Sequence, residues 1–215
     1  MYEIIPSPGT ENKSWSEIEK KLELVRPFAK TIHIDVIDGK FAKNKTLLDP
    51  KPFAKYTKDF VFEVHLMVDE PIQYLKPWAD AGFQRFIGHV EKMSDQTEFV
   101  AQAQLLGEVG LALDKQTPSE AIKIPLSDLD CLLVMTIQAG FSGQKFEEGL
   151  LEKVKQLRQQ TDIPIEVDGG MNDETIEVAA AAGCTRFAVT SFLFNLQTPQ
   201  EQFSLLNKQL EGIKL

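Results

Sequence analysis

At residues 31–39 the chain reads T-I-H-I-D-V-I-D-G. In an extended strand successive side chains point to opposite faces, so His33 and Asp35 share one face. The isoleucines and valine that alternate with them share the other, which is typical of a strand packed beneath helices. An imidazole and a carboxylate opposite an apolar face indicate either a hydrogen-bonded structural pair or part of a site. The other strands favour a site, because several end in the same kinds of residue.

Seven further short apolar segments alternate with helical patterns along the chain. The predicted strands cover residues 2–5, 31–35, 60–66, 85–88, 110–113, 131–135, 165–167 and 187–189. The predicted helices cover residues 14–28, 71–81, 95–106, 150–159 and 175–182 and a last segment from Pro199, with weaker helical patterns at 52–58 and 118–122. Eight strand–helix units joined by right-handed crossovers predict a parallel (β/α)8 TIM barrel. An open, doubly wound sheet is the alternative.

Composition indicates a soluble globular protein. With 215 residues, 43% hydrophobic and 26% charged, the chain is expected to form one domain over residues 1–215. No apolar run approaches the roughly 20 residues that span a bilayer, and the N-terminus lacks the features of a signal peptide. Cys131 and Cys184 are expected to be reduced core thiols. We therefore predict a cytoplasmic protein.

The formal net charge of −9 narrows the possible partners. It disfavours nucleic acid and anionic membranes, which attract basic surfaces. It leaves room for an anionic metabolite, because a bound metal and helix N-termini can make one pocket locally positive.

The active site of a TIM barrel lies at the C-terminal ends of its strands. All three histidines of the chain fall at such ends, together with serine, aspartate and methionine side chains. The set is Ser7, His33, Asp35, His65, His89, Asp114, Met135, Asp168 and Ser191. Histidines scattered at random would rarely all reach one rim, so the sequence predicts a site there.

Four of these side chains, His33, Asp35, His65 and Asp168, form a mixed nitrogen and oxygen donor set. Such a set suits one divalent transition metal: zinc, iron(II), manganese or cobalt. The set contains no thiolate, which argues against a closed structural zinc site. The alternative is a ring of hydrogen-bonded His/Asp pairs without metal.

Glu63 and Glu166 precede two of these residues by two positions and are predicted to face the same interior. Either could orient an imidazole from behind. They could equally form a polar layer lower in the barrel.

A second cluster is rich in glycine and lies in the last third of the chain. It consists of Gly140, Ser142, Gly143, Gly169, Gly170 and Ser191. Loops after the last strands of these barrels often bind phosphate through backbone N–H groups, and glycine allows the close approach this needs. We therefore predict a phosphate site.

The motifs resemble those of the ribulose-phosphate 3-epimerase family. They are I-H-I-D-V-I-D-G at 32–39, V-H-L-M-V at 64–68, V-M-T-I-Q-A-G-F-S-G-Q at 134–144 and E-V-D-G-G at 166–170. The resemblance runs through nearly the whole chain in the right order. It implies a ribulose-phosphate-binding (β/α)8 barrel, a phosphorylated ketose substrate and a homo-oligomer.

The resemblance also implies roles for individual residues. His33, Asp35, His65 and Asp168 would bind the metal, and the two aspartates would act as acid and base. The implied substrate contacts are Ser7, His65, Met67, Met135, Gly140, Ser142, Gly143, Gly169, Gly170 and Ser191. The implied reaction inverts carbon 3 of D-ribulose 5-phosphate to give D-xylulose 5-phosphate through a cis-enediolate.

Several positions differ from the family pattern. They are Ile37, the segment P-G-T-E-N after Ser7, Asp114-Lys115, Gln138-Ala139, Thr190 and Phe192. A bulkier rim at the last two could tighten or shift the phosphate pocket. The altered regions around Ser7 and Asp114 keep a 3-epimerase of a ketohexose 6-phosphate, such as allulose 6-phosphate, open as an alternative. A non-catalytic sugar-phosphate-binding homologue is a further alternative. Residues 40–50 are expected to act as a lid.

Overall fold

The computed structural model describes residues 1–11, 14–195 and 198–213, in which eight parallel strands form one sheet. The strands are β1 Glu3–Pro6, β2 Thr31–Ile37, β3 Val61–Met67, β4 Arg85–His89, β5 Glu108–Leu113, β6 Cys131–Met135, β7 Ile165–Asp168 and β8 Arg186–Val189. Their order in the sheet is β1-β8-β7-β6-β5-β4-β3-β2, so β2 to β8 pair in sequence order and β8 also pairs with β1.

The two ends of this order, β1 and β2, lie against each other. We call the line where β1 meets β2 the seam, and side-chain hydrogen bonds join the two strands at both ends of it. Ser7 Oγ donates to Asp35 Oδ2 at 2.8 Å, and Thr31 Oγ1 donates to Glu3. The sheet is therefore a nearly closed barrel. The predicted (β/α)8 TIM barrel is confirmed, and the open doubly wound alternative is wrong.

Helices connect the strands on the outside of the barrel. They are α1 Trp15–Val25, α2 Ile72–Asp80, α3 Gln96–Gln104, α4 Leu151–Arg158, α5 Thr175–Ala181, α6 Ser191–Phe194 and α7 Pro199–Glu211. The predicted capping box at the start of α1 is present between Ser14 and Glu17. None of the helices in the described part of the chain has the length and apolarity needed to cross a bilayer.

Several connections differ from the prediction. The weak helical patterns at 52–58 and 118–122 form only short 3₁₀ helices, Lys51–Tyr56 and Ser119–Ala121. Helix α6 was not predicted, because four residues are too few to carry a 3.6-residue hydrophobic period. This short helix places Ser191 directly above the end of β8.

The two faces of the strands pack into different layers. Ile32, Ile34 and Val36 point outward into the large core beneath the helices, as predicted. His33 and Asp35 point into the barrel, where a smaller apolar cluster that includes Met67 and Met135 also lies. Both cysteines are free and buried, as expected of core thiols.

Candidate active site

Four side chains meet at the C-terminal end of the barrel. Strand β2 supplies His33 and Asp35, β3 supplies His65, and β7 ends at Asp168. His65 Nδ1 lies 3.1 Å from Asp35 Oδ1, 3.3 Å from His33 Nε2 and 3.4 Å from Asp168 Oδ2. One ligand atom from each of the four residues lies within 4.8 Å of the others. The predicted convergence of these four residues is confirmed.

The donor set fits a divalent metal ion. Two imidazole nitrogens and two carboxylate oxygens match the ligand preference of zinc and related ions, and two carboxylates balance the charge of a divalent cation. His33, His65 and Asp35 are buried, where water solvates a charge poorly. An ionised carboxylate at this place therefore needs a positive charge beside it. Burial alone would raise the pKa of Asp35, but His33 and His65 outweigh it and hold that pKa well below its usual range.

The other nitrogen of His33 faces two buried glutamates. Its Nδ1 lies 2.6 Å from Glu63 Oε1 and 3.0 Å from Glu166 Oε1, and Glu63 also accepts a hydrogen bond from Arg85. Of these two contacts only that with Glu63 has hydrogen-bond geometry, and within the described part of the chain both Glu166 oxygens lack a hydrogen-bond donor. The prediction that both glutamates face the interior is confirmed, and Glu63 fixes His33 with Nε2 turned toward the cluster.

The two glutamates have opposite pKa shifts. Burial raises the pKa of Glu166 to about 7, and the negative charge of Glu63 adds to this effect. Burial would also raise the pKa of Glu63, but His33 and Arg85 outweigh it and lower that pKa to about 2. The pair therefore carries less than two full negative charges beneath His33 at neutral pH.

A pocket opens directly above the four side chains. The predicted residues that line it are Asp35, Met67, Met135, Gly140, Ser142, Gly143, Asp168, Gly169, Gly170 and Ser191. His33 and His65 lie below its floor, and Ser7 lies behind Asp35 as a hydrogen-bond donor. The predicted metal and phosphate clusters therefore share one cavity.

The lining also includes residues that were not predicted as site residues: Thr10, Ile137, Phe141, Met171, Ala188 and Thr190. Three of them adjoin predicted positions, since Phe141 follows Gly140, Met171 follows Gly170, and Thr190 precedes Ser191. Thr10 belongs to the segment that departs from the family pattern, so no motif marked it.

Hydrogen bonds between three loops form a roof over the pocket. Thr10 and Ser142 bond reciprocally: Thr10 N donates to Ser142 Oγ at 3.0 Å, and Ser142 N donates to Thr10 Oγ1 at 2.9 Å. Asn44 Nδ2 donates to the carbonyls of Thr10 at 2.9 Å and Gly140 at 3.1 Å. The loops after β1, β2 and β6 are therefore tied together above the site.

Comparison with known proteins agrees with this geometry. Residues 11–194 match the model of the Ribulose-phosphate 3 epimerase family. The chain belongs to this family. It is 37% identical over 198 residues to the cytoplasmic isoform of ribulose-phosphate 3-epimerase from Oryza sativa subsp. japonica, covering 88% of this chain and 86% of the relative. It is 34% identical over 217 aligned residues to ribulose-phosphate 3-epimerase from Schizosaccharomyces pombe, covering 98% and 95%. These relatives are isomerases, and the resemblance read from the motifs is confirmed.

Solved structures with low sequence identity share the fold. KGPDC from Streptococcus mutans has a TM-score of 0.75 at 11% identity and covers 99% of this chain and 99% of its own. The 3-keto-L-gulonate-6-phosphate decarboxylase from Vibrio cholerae has a TM-score of 0.74 at 13% identity and covers both chains completely. These matches support the barrel architecture.

Residues that depart from the epimerase family pattern contact each other in pairs. Asp114 Oδ2 accepts a hydrogen bond from Gln138 Nε2 at 2.9 Å, and Asp114 Oδ1 accepts one from Ala139 N at 3.2 Å. Between the residues that follow β1 and β8, a Cβ atom on Gly9 would lie 2.6 Å from the Thr190 methyl carbon. The larger side chain at 190 is thus accommodated by a glycine opposite it. The residues that differ from the family pattern therefore contact one another between neighbouring loops of the rim.

The glycine at position 169 is required by its surroundings. Its φ is +121°, and a Cβ there would lie 2.4 Å from Ile137 Cγ1. We expect Gly169→Ala to destabilise the protein by about 1–3 kcal/mol, from backbone strain and overpacking together. For a chain of this size that lowers the Tm by roughly 2–12 °C in thermal unfolding.

Gly143→Ala is the matched control, since its φ is +81° and, apart from its two chain neighbours, no atom of the described residues lies within 4 Å of the added Cβ. It carries the backbone strain without the clash, so a smaller decrease in Tm is expected. Equal decreases in the two variants would show that the contact with Ile137 does not require glycine.

Proposed function

We propose that this member of the family is a metal-dependent 3-epimerase that interconverts D-ribulose 5-phosphate and D-xylulose 5-phosphate. The observation that carries the proposal is the meeting of two carboxylates and two imidazoles beneath a glycine-lined pocket. The family membership and the relatives named ribulose-phosphate 3-epimerase support the choice of reaction.

Asp35 and Asp168 are proposed as the acid and the base. Strands β2 and β7 are separated around the barrel by β1 and β8, so the two carboxylates reach the pocket from opposite sides of the seam. One carboxylate removes the proton from carbon 3, and the electron pair of that C–H bond moves to the carbonyl at carbon 2, giving an enediolate. The other then returns a proton to the opposite face. Which aspartate acts first depends on the direction of the reaction.

His33, Asp35, His65 and Asp168 are proposed to hold one divalent cation: zinc, iron(II), manganese or cobalt. Such an ion would supply Lewis-acid stabilisation of the negative charge that develops on the substrate oxygens. The buried carboxylate of Glu63 orients His33 from behind, so that its Nε2 lone pair is directed into the cluster.

The glycine-lined end of the pocket is proposed to bind the substrate phosphate. Gly140, Gly143, Gly169 and Gly170 all have positive φ and line the pocket, where their backbone N–H groups are proposed to donate to the phosphate. The hydroxyls of Ser142 and Ser191 line the same end. Met67 and Met135 are the remaining proposed substrate contacts that line the pocket. Ser7 and His65, the other two predicted contacts, are fully buried and lie outside its lining.

The roof favours a five-carbon over a six-carbon substrate. Thr10, Ser142 and Asn44 tie the loops together across the pocket, and we propose that this restricts the length of the sugar phosphate that can bind. We expect kcat/KM for D-ribulose 5-phosphate to exceed that for allulose 6-phosphate by about 10–200-fold, the range typical of one extra carbon in a fitted pocket. Steady-state assays of the purified protein with each sugar measure this ratio.

A higher kcat/KM with allulose 6-phosphate would reverse the substrate assignment and keep the chemistry. Absence of turnover with both sugars would overturn the proposed activity and favour the non-catalytic alternative.

We also propose that residues 1–215 act as one domain, that the protein works in the cytoplasm and that it forms a homo-oligomer. The length of the family match supports the first of these proposals. The name of the Oryza sativa relative, a cytoplasmic isoform, supports the second. The third rests on the family resemblance.

A further inference from the structure

The third histidine of the chain stands directly behind the metal-ligand candidate His65. His65 Nε2, which points away from the four-residue cluster, lies 2.8 Å from Nε2 of His89. The ring centroids are 4.9 Å apart and the planes are inclined by 25°, so the two rings meet nearly edge to edge through these nitrogens. His89 Nδ1 in turn lies 2.9 Å from Glu91 Oε2, and Glu91 Oε1 accepts a hydrogen bond from Asp114 N at 2.7 Å.

The positions of the donors and acceptors fix the direction of these hydrogen bonds. The carboxylate of Glu91 can only accept, so His89 Nδ1 carries a proton and donates it. Neutral His89 then presents a bare Nε2, which accepts from His65 Nε2–H. His65 in that tautomer presents a bare Nδ1 to the cluster formed with Asp35 and Asp168, which is the form that ligates a metal.

The surroundings of these hydrogen bonds exclude water from His89 and keep Glu91 ionised. His89 is fully buried, and the ring of Phe41 covers it at a centroid distance of 4.6 Å. Burial would raise the pKa of Glu91, but His89 and the Asp114 N–H group outweigh it and lower that pKa to about 2. Glu91 is therefore an anion at neutral pH.

We propose that His89 and Glu91 are positioning residues that hold His65 as a metal ligand. They keep its ring orientation and its tautomer, and the Glu91 charge makes Nδ1 a better donor through the His89 ring. His33 receives the same support directly from Glu63, whereas His65 receives it through an intervening imidazole. The inference rests on the metal centre of the proposed function.

The test is the affinity of the metal-free protein for Co(II), measured by competition with a chelator and followed by visible absorption. His89→Phe keeps an aromatic ring in the space but cannot accept from His65. We expect it to weaken Co(II) binding by about 10–100-fold. His89→Gln is the matched variant, because its amide oxygen can replace Nε2 as the acceptor, and it is expected to recover most of that loss. Glu91→Gln keeps one oxygen that can accept from His89 Nδ1, but it loses the charge and the acceptor for Asp114 N, and it is expected to show an intermediate loss.

Thermal unfolding of the metal-free variants identifies any that fail to fold. Co(II) affinity of His89→Phe within about twofold of wild type, or equal losses in the Phe and Gln variants, would overturn the proposal. If His89→Phe does not fold, Glu91→Gln decides, and an unchanged affinity there overturns it. A wild-type protein that binds no Co(II) would instead refute the metal centre itself, and the positioning role with it.

Discussion

Replacing Asp168 with asparagine is expected to lower kcat for D-ribulose 5-phosphate by about 10²–10⁴-fold, the usual contribution of a positioned acid or base. The amide has nearly the same shape and can still offer an oxygen to the cluster, but it cannot exchange a proton with carbon 3. Asp35→Asn should lower kcat similarly, because inversion at carbon 3 needs a carboxylate on each face of the substrate. A coupled steady-state assay, with the metal content of each variant measured, tests this.

Asp114→Asn provides a matched control at the same rim. Asp114 accepts hydrogen bonds from Gln138 and Ala139 and lies outside the four-residue cluster. Its replacement is expected to leave kcat within a factor of about three, as for a surface substitution that keeps an acceptor. If Asp168→Asn retained wild-type kcat at full metal content, Asp168 would not be the acid or base.

Removal of the metal is expected to lower turnover at least as much as the aspartate substitutions do. Lewis-acid stabilisation is worth several kcal/mol, and each 1.36 kcal/mol corresponds to tenfold in rate. Chelation should therefore reduce turnover by about 10³-fold or more, and addition of zinc, iron(II), manganese or cobalt should restore it. The ion that restores the highest kcat identifies the preferred metal.

A variant that lacks one ligand separates loss of the metal from loss of the fold. His33→Ala removes one of the four donors and should not recover turnover when metal is added back, although its unfolding transition stays cooperative. Full turnover by chelated protein with a metal content near zero would contradict the metal-dependent chemistry.

Strand–helix alternation made the barrel predictable, and the strand ends made the cluster predictable. In a closed parallel sheet the C-terminal ends form one ring, so residues such as His33, His65 and Asp168 converge from distant parts of the chain. The period of two along a strand also placed Glu63 and Glu166 below them. These inferences need only the order of the elements and the alternation of side chains.

The roof of the pocket could not be predicted in the same way. The reciprocal hydrogen bonds of Thr10 with Ser142, and those of Asn44, join loops whose paths no periodicity determines. The contacts of Thr190 with Gly9 are of the same kind, since each residue departs from the family pattern and only the folded barrel relates them. Loop contacts depend on the whole fold, whereas strand faces depend on local geometry.

The sequence predicted the role of His89 only in part. Its place at the end of β4 was predicted, but its partner was not, because the tilt of each imidazole decides which histidine it contacts. The structure directs it toward His65 and away from the pocket. A histidine at a strand end thus supports the site without lining it.

The most direct test of the central claim is proton NMR of D-ribulose 5-phosphate incubated with the metal-loaded protein in D₂O. We expect D-xylulose 5-phosphate to form with deuterium at carbon 3, because a carboxylate that returns a proton draws it from the solvent pool. The same sample with Asp168→Asn should show little product. Retention of the carbon 3 proton with no xylulose 5-phosphate formed would contradict epimerisation by this pair of aspartates.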